Sequence, residues 1–382
     1  MGESPQATQV DPAPMVASWS SRRRFHFVQD VATPHNNALL KEIAGIPNID
    51  LRIEYAHRDV TDYPLAAELV DEILPAHIYG SSFPNPALLL RAILFPRDKW
   101  LLVAWSNPTT RALIIWFWLT RRRFNCWIDV PPATTPRRLR LRRMILRLLR
   151  SSRVQMFAVG SVGVTYLLEA GFAPERVHNL PIAMATTSSA GAGEWRSKLD
   201  LARNEVLLVT GSRLTWEKGF DVLLNAISRL EPQVRERLRT VVVGRGPLGE
   251  DLRTLATHFG MSNRDVRFID WLAIDEFASL IGDADLVVHP ARMDSYGATS
   301  LLARAMSKPL IASRGAGAAM DIVQPGINGW LYDAEDSTAL AAILGEVVID
   351  DRVRSDAARE MSAVSKEGSP RLVAERLLQH AW

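Results

Sequence analysis

The sequence predicts an α/β protein with two doubly wound parallel sheets, each in a domain of its own. Its 382 residues exceed the size of a typical single domain. Short, unbroken apolar runs alternate with helical patterns along most of the chain, as buried parallel strands alternate with the helices that cover them. This alternation stops once, near residue 184, and then resumes. Two such series predict two Rossmann-like domains that face each other across a cleft.

The first domain is predicted over residues 25–183. Its candidate strands read FHFVQDV, DLRIEYA, AHIYG, WLLVAW, FNCWID and VQMFAV. A helix follows the first strand from Pro34, and His35, Asn36 and Asn37 lie at its start. These polar side chains have two interpretations, since they either cap the helix or contact an acceptor or a phosphate group.

The remaining segments complete the predicted organisation. Residues 1–24 are polar and lack an apolar segment, so they are expected to form a disordered leader rather than a signal peptide. Residues 184–204 are rich in Ala, Ser, Thr and Gly and are predicted to link the domains. The second domain is predicted over residues 205–368, with candidate strands EVLLVT, TVVVG, VRFID, ADLVVHP and PLIAS. Residues 369–382 predict a helix that crosses back to the first domain.

Composition limits the class of protein. The chain is 47% apolar and 23% charged, as globular proteins are. Its single cysteine, Cys126, excludes an internal disulfide and fits a reducing cytosol. The most apolar windows, residues 86–95 and 112–120, are shorter than the roughly 20 residues that span a bilayer. We therefore expect a protein that does not cross a membrane.

The charge is unevenly distributed along the chain. Residues 1–185 carry 22 Lys and Arg against 15 Asp and Glu, whereas the remainder carries 23 against 27. Residues 97–153 alone hold 14 basic and 2 acidic residues. This asymmetry predicts an anionic partner for the first domain.

A basic amphipathic pattern lies in the first domain at residues 135–150. Four arginines fall on one helical face, and an apolar stripe lies beside them: Arg140, Arg143, Arg147 and Arg150, with Leu141, Met144, Ile145 and Leu148. One interpretation is that residues 111–150 contact an anionic membrane surface. The other is that the stripe packs on the sheet while the arginines face water. Nucleic-acid binding is not expected, because the segment lacks a recognised motif.

Charged residues follow the first strand of the second domain in GSRLTWEKGF, residues 211–220. In α/β proteins, ligands bind where such strand ends open onto helices. Three further segments follow in order: VVVGRGPLGEDL at 241–252, VRFIDWL at 266–272, and the stretch 284–331 that contains HPARMDSYGATSLLARAMSKPLIAS. Together they resemble the nucleotide-sugar domain of the family 4 glycosyltransferases, which are retaining enzymes of the GT-B fold. The resemblance covers about residues 205–340.

The resemblance implies a nucleotide sugar, UDP- or GDP-linked, as donor, with no cofactor and no metal. Arg213 and Lys218 match the Arg and Lys that bind the donor diphosphate in this family. Charge develops on the β-phosphate oxygen as the glycosidic bond breaks, and cations are suited to stabilise it. Gly211 is expected to let the backbone approach the ligand closely.

Further donor contacts are implied beyond the strand ends. Gly244 matches the family's tight turn, although an ordinary βα turn would explain it equally well. Ile269 and Trp271 are expected to border the base, the alternative for Ile269 being a plain core position. Asp294 takes the place of the first Glu of the family's paired acids and is expected to bind sugar hydroxyls. The loop after it, at the start of a helix, is expected to receive the donor phosphate through its N–H groups; it comprises Ser295, Tyr296, Gly297 and Ala298.

One position departs from the family. Leu302 falls where the second Glu should hold the ribose hydroxyls, and an aliphatic chain cannot do so. Loss of such a charge-assisted hydrogen bond costs about 1.5–3 kcal/mol.

In the first domain, Asp129 lies at a strand end where the family often has a His near the reacting sugar, so a catalytic role is expected. Gly160 and Ser161 are expected to line the cleft.

These observations predict a retaining, metal-independent hexosyltransferase. It would act on a lipid-linked glycan in bacterial envelope or exopolysaccharide synthesis, in the cytoplasm at the inner face of the cell membrane. Two alternatives keep the fold: a sugar-nucleotide epimerase, and a pyridoxal-phosphate phosphorylase, which the lack of an evident Schiff-base lysine disfavours. A third is a catalytically silent family member that acts as a partner protein, as the departures at Asp294 and Leu302 suggest. The sequence makes no prediction of oligomeric state.

Overall fold

The structure is a computed structural model that describes residues 23–58, 70, 74–80, 83–105, 107–130, 136–184 and 193–381. Nearly all of the predicted leader therefore lies outside the described residues. So do residues 185–192 of the predicted linker and residues 131–135 of the segment expected to meet a membrane.

The first domain contains a parallel sheet whose described strands follow the order β3-β2-β1-β4-β5-β6-β7. The strands are β1 (Arg23–Gln29), β2 (Ile49–Tyr55), β3 (His77–Ile78), β4 (Lys99–Val103), β5 (Arg123–Ile128), β6 (Arg153–Ala158) and β7 (Val177–Asn179). The order reverses between β1 and β4, which makes the sheet doubly wound. The helices that cover it are Pro34–Ala44, Pro86–Leu94, Pro108–Leu119, Pro136–Ser151 and Gly160–Glu169.

Local sequence accounts for where several of these helices begin. Prolines open helices because their fixed φ suits the first turn, where no backbone donor is needed. Asn85 and Asn107 precede Pro86 and Pro108, and each asparagine side chain accepts a hydrogen bond from a backbone N–H of the first turn. The cap and the proline together set the start of each helix.

The second domain contains a parallel sheet with the described strand order β10-β9-β8-β11-β12-β13. The strands are β8 (Val206–Gly211), β9 (Leu238–Val243), β10 (Val266–Ile269), β11 (Leu286–His289), β12 (Leu310–Ser313) and β13 (Gly329–Tyr332). Here the order reverses between β8 and β11. The helices are Glu194–Lys198, Phe220–Ser228, Pro232–Arg235, Gly249–His258, Ile274–Asp283, Ala298–Ala305, Gly317–Ile322, Ser337–Ile349, Asp351–Val364 and Pro370–His380.

The helix Pro370–His380 packs against the helix Pro34–Ala44 of the first domain. Its Leu377 is fully buried in a core that also contains Leu39. The imidazole rings of His178 and His380 stack with their centroids 4.0 Å apart. The last helix therefore closes over the first sheet.

The two domains meet at the carboxyl ends of their strands. The Ser295 hydroxyl of the second domain donates to Asp129, which follows β5, at 2.7 Å. The backbone N–H of Ser161 donates to the Asp321 carboxylate at 3.0 Å. Two doubly wound α/β domains facing across a cleft are thus confirmed. In the part of the chain that the structure describes, no helix combines the length and apolarity needed to cross a membrane.

Candidate active site

The candidate site is built on the ends of β8 and β11, the two strands between which the second sheet reverses its order. Gly211 ends β8 in tight surroundings. A Cβ there would lie 2.5 Å from Cζ of Phe277 and 3.0 Å from the carbonyl oxygen of Val243. Its own carbonyl accepts a hydrogen bond from the Thr299 hydroxyl. Glycine at this position is thus required by the protein's own packing.

Lys218 lies on a 3-10 turn, Trp216–Lys218, which ends at Gly219. The backbone of Gly219 has φ 67°, and a Cβ there would overlap the carbonyl oxygen of Pro290. The turn therefore packs closely against the segment that follows β11. This packing brings Nζ of Lys218 to 2.6 Å from Oδ2 of Asp294.

The Asp294 carboxylate also contacts a histidine that sequence reasoning missed. His289 ends β11 and is 2% exposed. Its Nε2 lies 3.2 Å from Oδ2 of Asp294, and its Nδ1 lies 2.7 Å from Oγ of Ser300. Because a carboxylate only accepts, the imidazole donates to Asp294 through Nε2 and accepts from Ser300 through Nδ1. The only sequence signal was a histidine ending an apolar strand.

Burial alone would raise the pKa of Asp294. The hydrogen bond from His289 and the neighbouring Lys218 ammonium outweigh burial and hold this pKa well below its usual range. Asp294 is therefore ionised at neutral pH. Its carboxylate is bonded to Lys218 and His289, so it orients the ammonium.

Arg213 is exposed, and its guanidinium makes no hydrogen bond or ion pair with any of the described residues. The pKa of the nearby Glu217 is lowered, although burial opposes this shift. The largest cause is a hydrogen bond from the backbone N–H of Glu217 itself, followed by the Thr215 hydroxyl and the charges of Lys218 and Arg213. The two predicted cations thus differ in their contacts. Lys218 is paired with Asp294, whereas Arg213 is available to a ligand.

The loop Ser295 to Ala298 leads into the helix Ala298–Ala305. Gly297 is the N-cap residue of this helix and has φ 67°. The four backbone N–H groups of this loop donate to no acceptor among the residues described. Free N–H groups at a helix start form a site for an anion. The structure therefore places unpaired donors directly after Asp294, the partner of Lys218.

Tyr296 departs from the simplest expectation for this loop. Its side chain is 2% exposed, and its ring packs where the first domain's Gly160 approaches. Burial raises the pKa of its hydroxyl, as does the nearby Asp321 carboxylate. Only its backbone is left to meet a ligand. Leu302 is 1% exposed and lies in the core, so its side chain does not reach the cleft.

The residues expected around the base lie at the neighbouring strand ends. Gly244 has φ 152°, and a Cβ there would overlap the carbonyl oxygen of Ser212. The Gly244 N–H donates to the carbonyl of Ile269 at 2.8 Å, so that carbonyl already has a partner. Ile269 is half-buried, while Trp271 is 56% exposed. The turn at Gly244 therefore packs on the segment that carries Arg213.

Asp129 follows β5 and reaches the donor loop through its bond to Ser295. Burial raises the pKa of Asp129, and the nearby Asp294 charge adds to this effect. The hydrogen bonds from Ser295 and from the backbone N–H of Val130 lower this pKa. Asp129, Ser295 and Asp294 thus lie together at the domain boundary.

The polar residues at the start of the first helix face inwards. Asn36 and Asn37 are buried. The Asn36 amide donates to Gln29 at 2.7 Å, and the Tyr55 hydroxyl donates to the Asn37 side chain at 3.4 Å. His35 Nε2 lies 3.1 Å from the Thr33 hydroxyl. These contacts hold the helix on its sheet. Across the described residues, no three His, Cys, Asp or Glu side chains cluster as metal ligands do.

The second domain resembles known protein sequences. Residues 192–363 match the family described as glycosyl transferases group 1. D-inositol 3-phosphate glycosyltransferase 1 of Catenulispora acidiphila is 30% identical over 200 residues, which cover 50% of this chain and 47% of that protein. D-inositol 3-phosphate glycosyltransferase of Corynebacterium jeikeium is 33% identical over 168 residues, covering 42% of this chain and 39% of that protein. The matches thus span less than half of these relatives, and they confirm the predicted resemblance to glycosyltransferases.

Solved structures extend the likeness to both domains. A crystal structure of HepE from Anabaena in complex with UDP and glucose has a TM-score of 0.73 at 19% identity, covering 94% of this chain and 99% of that one. Sucrose-phosphate synthase from Thermosynechococcus elongatus has a TM-score of 0.69 at 16% identity, covering 94% and 98%. The likeness to such structures confirms the GT-B fold.

Proposed function

We propose that this chain, whose residues 192–363 match the glycosyl transferases group 1 family, is a retaining hexosyltransferase that uses a UDP- or GDP-sugar. The observation that carries the proposal is the grouping of Lys218, Arg213 and the free N–H groups of residues 295–298 at one edge of the second sheet. The complex of HepE with UDP-glucose, a protein of the same fold, supports a nucleotide-sugar donor.

The proposed chemistry begins with the donor diphosphate. As the bond between sugar and β-phosphate breaks, negative charge grows on the phosphate oxygens. Lys218 and Arg213 neutralise this charge, and the loop N–H groups donate to it. We propose that these groups act without a metal ion or a cofactor. Each such donor is worth about 10²–10³ in rate.

We propose that Asp294 has two roles. It holds the Lys218 ammonium in place through the 2.6 Å ion pair, and its free edge accepts hydrogen bonds from hydroxyls of the transferred sugar. His289 fixes the carboxylate from behind. This support offsets the shorter reach of Asp where the family has Glu. Retention then proceeds with the departing phosphate accepting the proton of the acceptor hydroxyl on the same face of the sugar.

The first domain is proposed to receive a lipid-linked glycan at the inner face of the cell membrane, with residues 111–150 against the surface. Arg140, Arg143 and Arg147 are exposed on the helix Pro136–Ser151. Met144 on this helix is 62% exposed, and Leu119 on the adjacent helix is 63% exposed. Ile145 is buried, so part of the apolar stripe packs on the sheet while the rest supports a surface contact.

The donor site is tested with Arg213→Ala and Lys218→Ala. We expect each variant to lose at least about 100-fold in donor turnover, because each removes a cation from the developing charge. The measurement is sugar-nucleotide hydrolysis over a panel of UDP- and GDP-sugars, with mass analysis of glycan products. Arg267→Ala, which removes an exposed arginine on β10, is the matched control and should keep wild-type activity.

Other outcomes decide against the proposal. Near-normal turnover in both variants would exclude the diphosphate site. An epimerised sugar nucleotide without transfer would identify the epimerase alternative. No donor binding by calorimetry across the panel would identify a silent partner protein.

The membrane contact is tested by sedimentation with lipid vesicles. Wild-type protein should bind vesicles that contain anionic lipid and not neutral ones. A triple variant with Arg140→Gln, Arg143→Gln and Arg147→Gln should lose about 3 kcal/mol of binding at low salt, near 1 kcal/mol for each arginine. A control triple variant with the same substitution by Gln at Arg229, Arg267 and Arg359 should bind vesicles as wild type does. Equal binding by both triple variants would contradict the proposed surface.

A further inference from the structure

A second polar cavity lies at the opposite edge of the second domain. Its volume is about 330 Å³. It is lined by the residues that precede or begin parallel strands, including Val206 of β8, Asp285 before β11 and Pro309 before β12. The donor site lies at the other ends of these strands. Since β8 has six residues at about 3.3 Å each, the two sites are ~15–20 Å apart.

The cavity is lined by three acidic side chains, and all three are engaged by the protein itself. Asp285 accepts from the Leu207 N–H at 2.7 Å and from Arg196 at 2.8 Å. Glu205 pairs with Arg239 at 2.5 Å and with Arg264 at 2.8 Å.

The third acid, Asp351, pairs with Arg354 and lies 3.5 Å from Arg237. Each of the three carboxylates is thus paired with at least one arginine.

Five cationic side chains line the same cavity, two more than the acids. Arg196 and Arg354 are engaged by Asp285 and Asp351. Arg237 makes only long contacts of 3.4–3.5 Å. The other two, Arg203 and Lys308, have no side-chain hydrogen bond or ion pair with any residue that the structure describes. The lining thus presents two cationic side chains that no described carboxylate pairs with directly.

Lys308 is held in position by its backbone. Ser307 before it adopts φ 55°, and the Lys308 N–H donates to the carbonyl of Ala303 at 2.8 Å. Burial lowers the pKa of its ammonium, although the nearby Asp285 and Asp283 carboxylates oppose this shift. A half-buried ammonium has lost part of its hydration, and no acceptor among the described residues replaces it. An anionic ligand would supply the missing acceptor.

We propose that this cavity binds a phosphate monoester, with Lys308 and Arg203 on the phosphate group. Two unpaired cations match the charge of a phosphate dianion. A volume of about 330 Å³ is at the lower end of small-molecule sites, which suits a ligand the size of a sugar phosphate. The remaining polar lining, including Asn204 and Ser355, offers partners for hydroxyl groups. The site is separate from the donor cleft.

The proposal is tested by calorimetry on the full chain with glucose 6-phosphate, and with inorganic phosphate as a second probe. The donor cleft also attracts phosphate, so the titrations are repeated in Lys218→Met. We expect saturable glucose 6-phosphate binding that Lys218→Met retains and that Lys308→Met and Arg203→Met weaken by at least about tenfold. Lys366→Met and Arg267→Met remove exposed charges elsewhere and should have no effect. Equal affinity for inorganic phosphate would show that the phosphate group alone is recognised.

A second measurement uses the wild-type protein, so it does not depend on whether a variant folds. Acetylation of lysines, followed by mass spectrometry, should show slower modification of Lys308 in the presence of glucose 6-phosphate, with Lys366 unchanged. Unchanged acetylation of Lys308 at saturating ligand would overturn the proposal. So would binding that Lys218→Met abolishes and Lys308→Met leaves intact, since the ligand would then occupy the donor cleft. These outcomes separate a failure of this inference from a failure of the proposed donor site.

Discussion

At the scale of single residues, Gly244 shows how a motif glycine serves packing. The sequence left two interpretations, a donor contact or an ordinary turn. In the structure, the turn that contains Gly244 packs on the Ser212–Leu214 backbone, and the Leu214 N–H donates to the carbonyl of Arg245 at 2.8 Å. The glycine thus supports the segment that carries Arg213, and any larger residue would displace it.

We expect Gly244→Ala to destabilise the protein by about 2–3 kcal/mol, because the added methyl group overlaps the Ser212 carbonyl and the backbone is in a region that favours glycine. The measurement is the free energy of unfolding in urea. Gly345→Ala is the control: Gly345 lies within the helix Ser337–Ile349 with no heavy atom within 4 Å of an added Cβ. It should stabilise by about 0.5–1 kcal/mol. A neutral result at Gly244 would contradict the close packing.

Residue types predicted some of the site and missed the rest for identifiable reasons. Lys218 was identified from the charges that follow a strand, where α/β proteins bind ligands, and from the resemblance to family 4 glycosyltransferases. Asp294 was identified from that resemblance alone. His289 was missed, since a histidine at the end of an apolar strand looks like a core residue. Its role follows from the positions of Ser300 and Asp294, which the fold alone brings together.

At the scale of elements, the turn that carries Lys218 is held by Arg292. This guanidinium makes a bidentate pair with Asp221 at 2.7 Å for both bonds, and it pairs with Glu335 at 2.6 Å. It also donates to the carbonyl of Trp216 at 2.9 Å and lies over the Trp216 ring. The Lys218 turn is therefore joined to the helix Phe220–Ser228, to the turn that precedes the helix Ser337–Ile349, and to the segment after β11.

We expect Arg292→Lys to lower donor turnover about tenfold or more, because a lysine cannot make the bidentate pair and the bond to Trp216 together. Turnover, donor affinity and unfolding free energy are measured in parallel. The control is Arg314→Lys, since Arg314 forms an exposed pair with Asp333 at 3.4 Å and such pairs contribute little. Arg292 acts by positioning if activity falls while the protein remains folded. Unchanged turnover would refute this role.

The docking of the last helix should depend on pH. Burial, and then the neighbouring His380 ring, lower the pKa of His178 to about 4, and partial burial lowers the pKa of His380. Unfolded histidine titrates near 6.5. Between about pH 6.5 and 4 the unfolded chain therefore binds protons that the folded protein does not, so stability falls as the pH decreases.

We accordingly expect the free energy of unfolding to decline across this range, and to decline less in His178→Gln. The amide keeps a hydrogen-bonding group near Gln155, which His178 contacts at 2.9 Å. His258→Gln, at an exposed position on another helix, should leave the pH profile unchanged. Identical profiles for wild type and His178→Gln would rule out this histidine as the source.

At the scale of the whole molecule, one glycine lies at the contact between the domains. Gly160 has φ 73°, and a Cβ there would lie 2.5 Å from Oδ2 of Asp321 and 2.7 Å from the Tyr296 ring. Both neighbours belong to the second domain. Tyr296 precedes the helix start that is proposed to hold the donor phosphate. The contact between domains therefore bears directly on the donor loop.

We expect Gly160→Ala to separate the domains while each domain stays folded. The radius of gyration from small-angle X-ray scattering should increase, and UDP affinity should fall about tenfold, because the donor loop loses its support. Gly163→Ala lies on the same helix, and the nearest atoms to its added methyl group belong to Ala158 of the first domain, so it should leave the scattering unchanged. A compact Gly160→Ala variant with wild-type affinity would contradict this coupling.

The sequence by itself determined the two parallel sheets, and it predicted their division near residue 184 and the positions of Arg213 and Lys218 after a strand. These follow from local patterns, since apolar periodicity and strand-end charges are encoded within a few residues. The tertiary structure alone decided that Asp294 pairs with Lys218 and His289, that Tyr296 is buried against Gly160, and that Asp129 meets Ser295. All of these contacts except that between His289 and Asp294 join residues far apart in the chain, and no local pattern specifies them. The physical reason is that the Asp294 contacts depend on how the second sheet brings its strand ends together, while the contacts of Tyr296 and Asp129 depend on how the two domains pack.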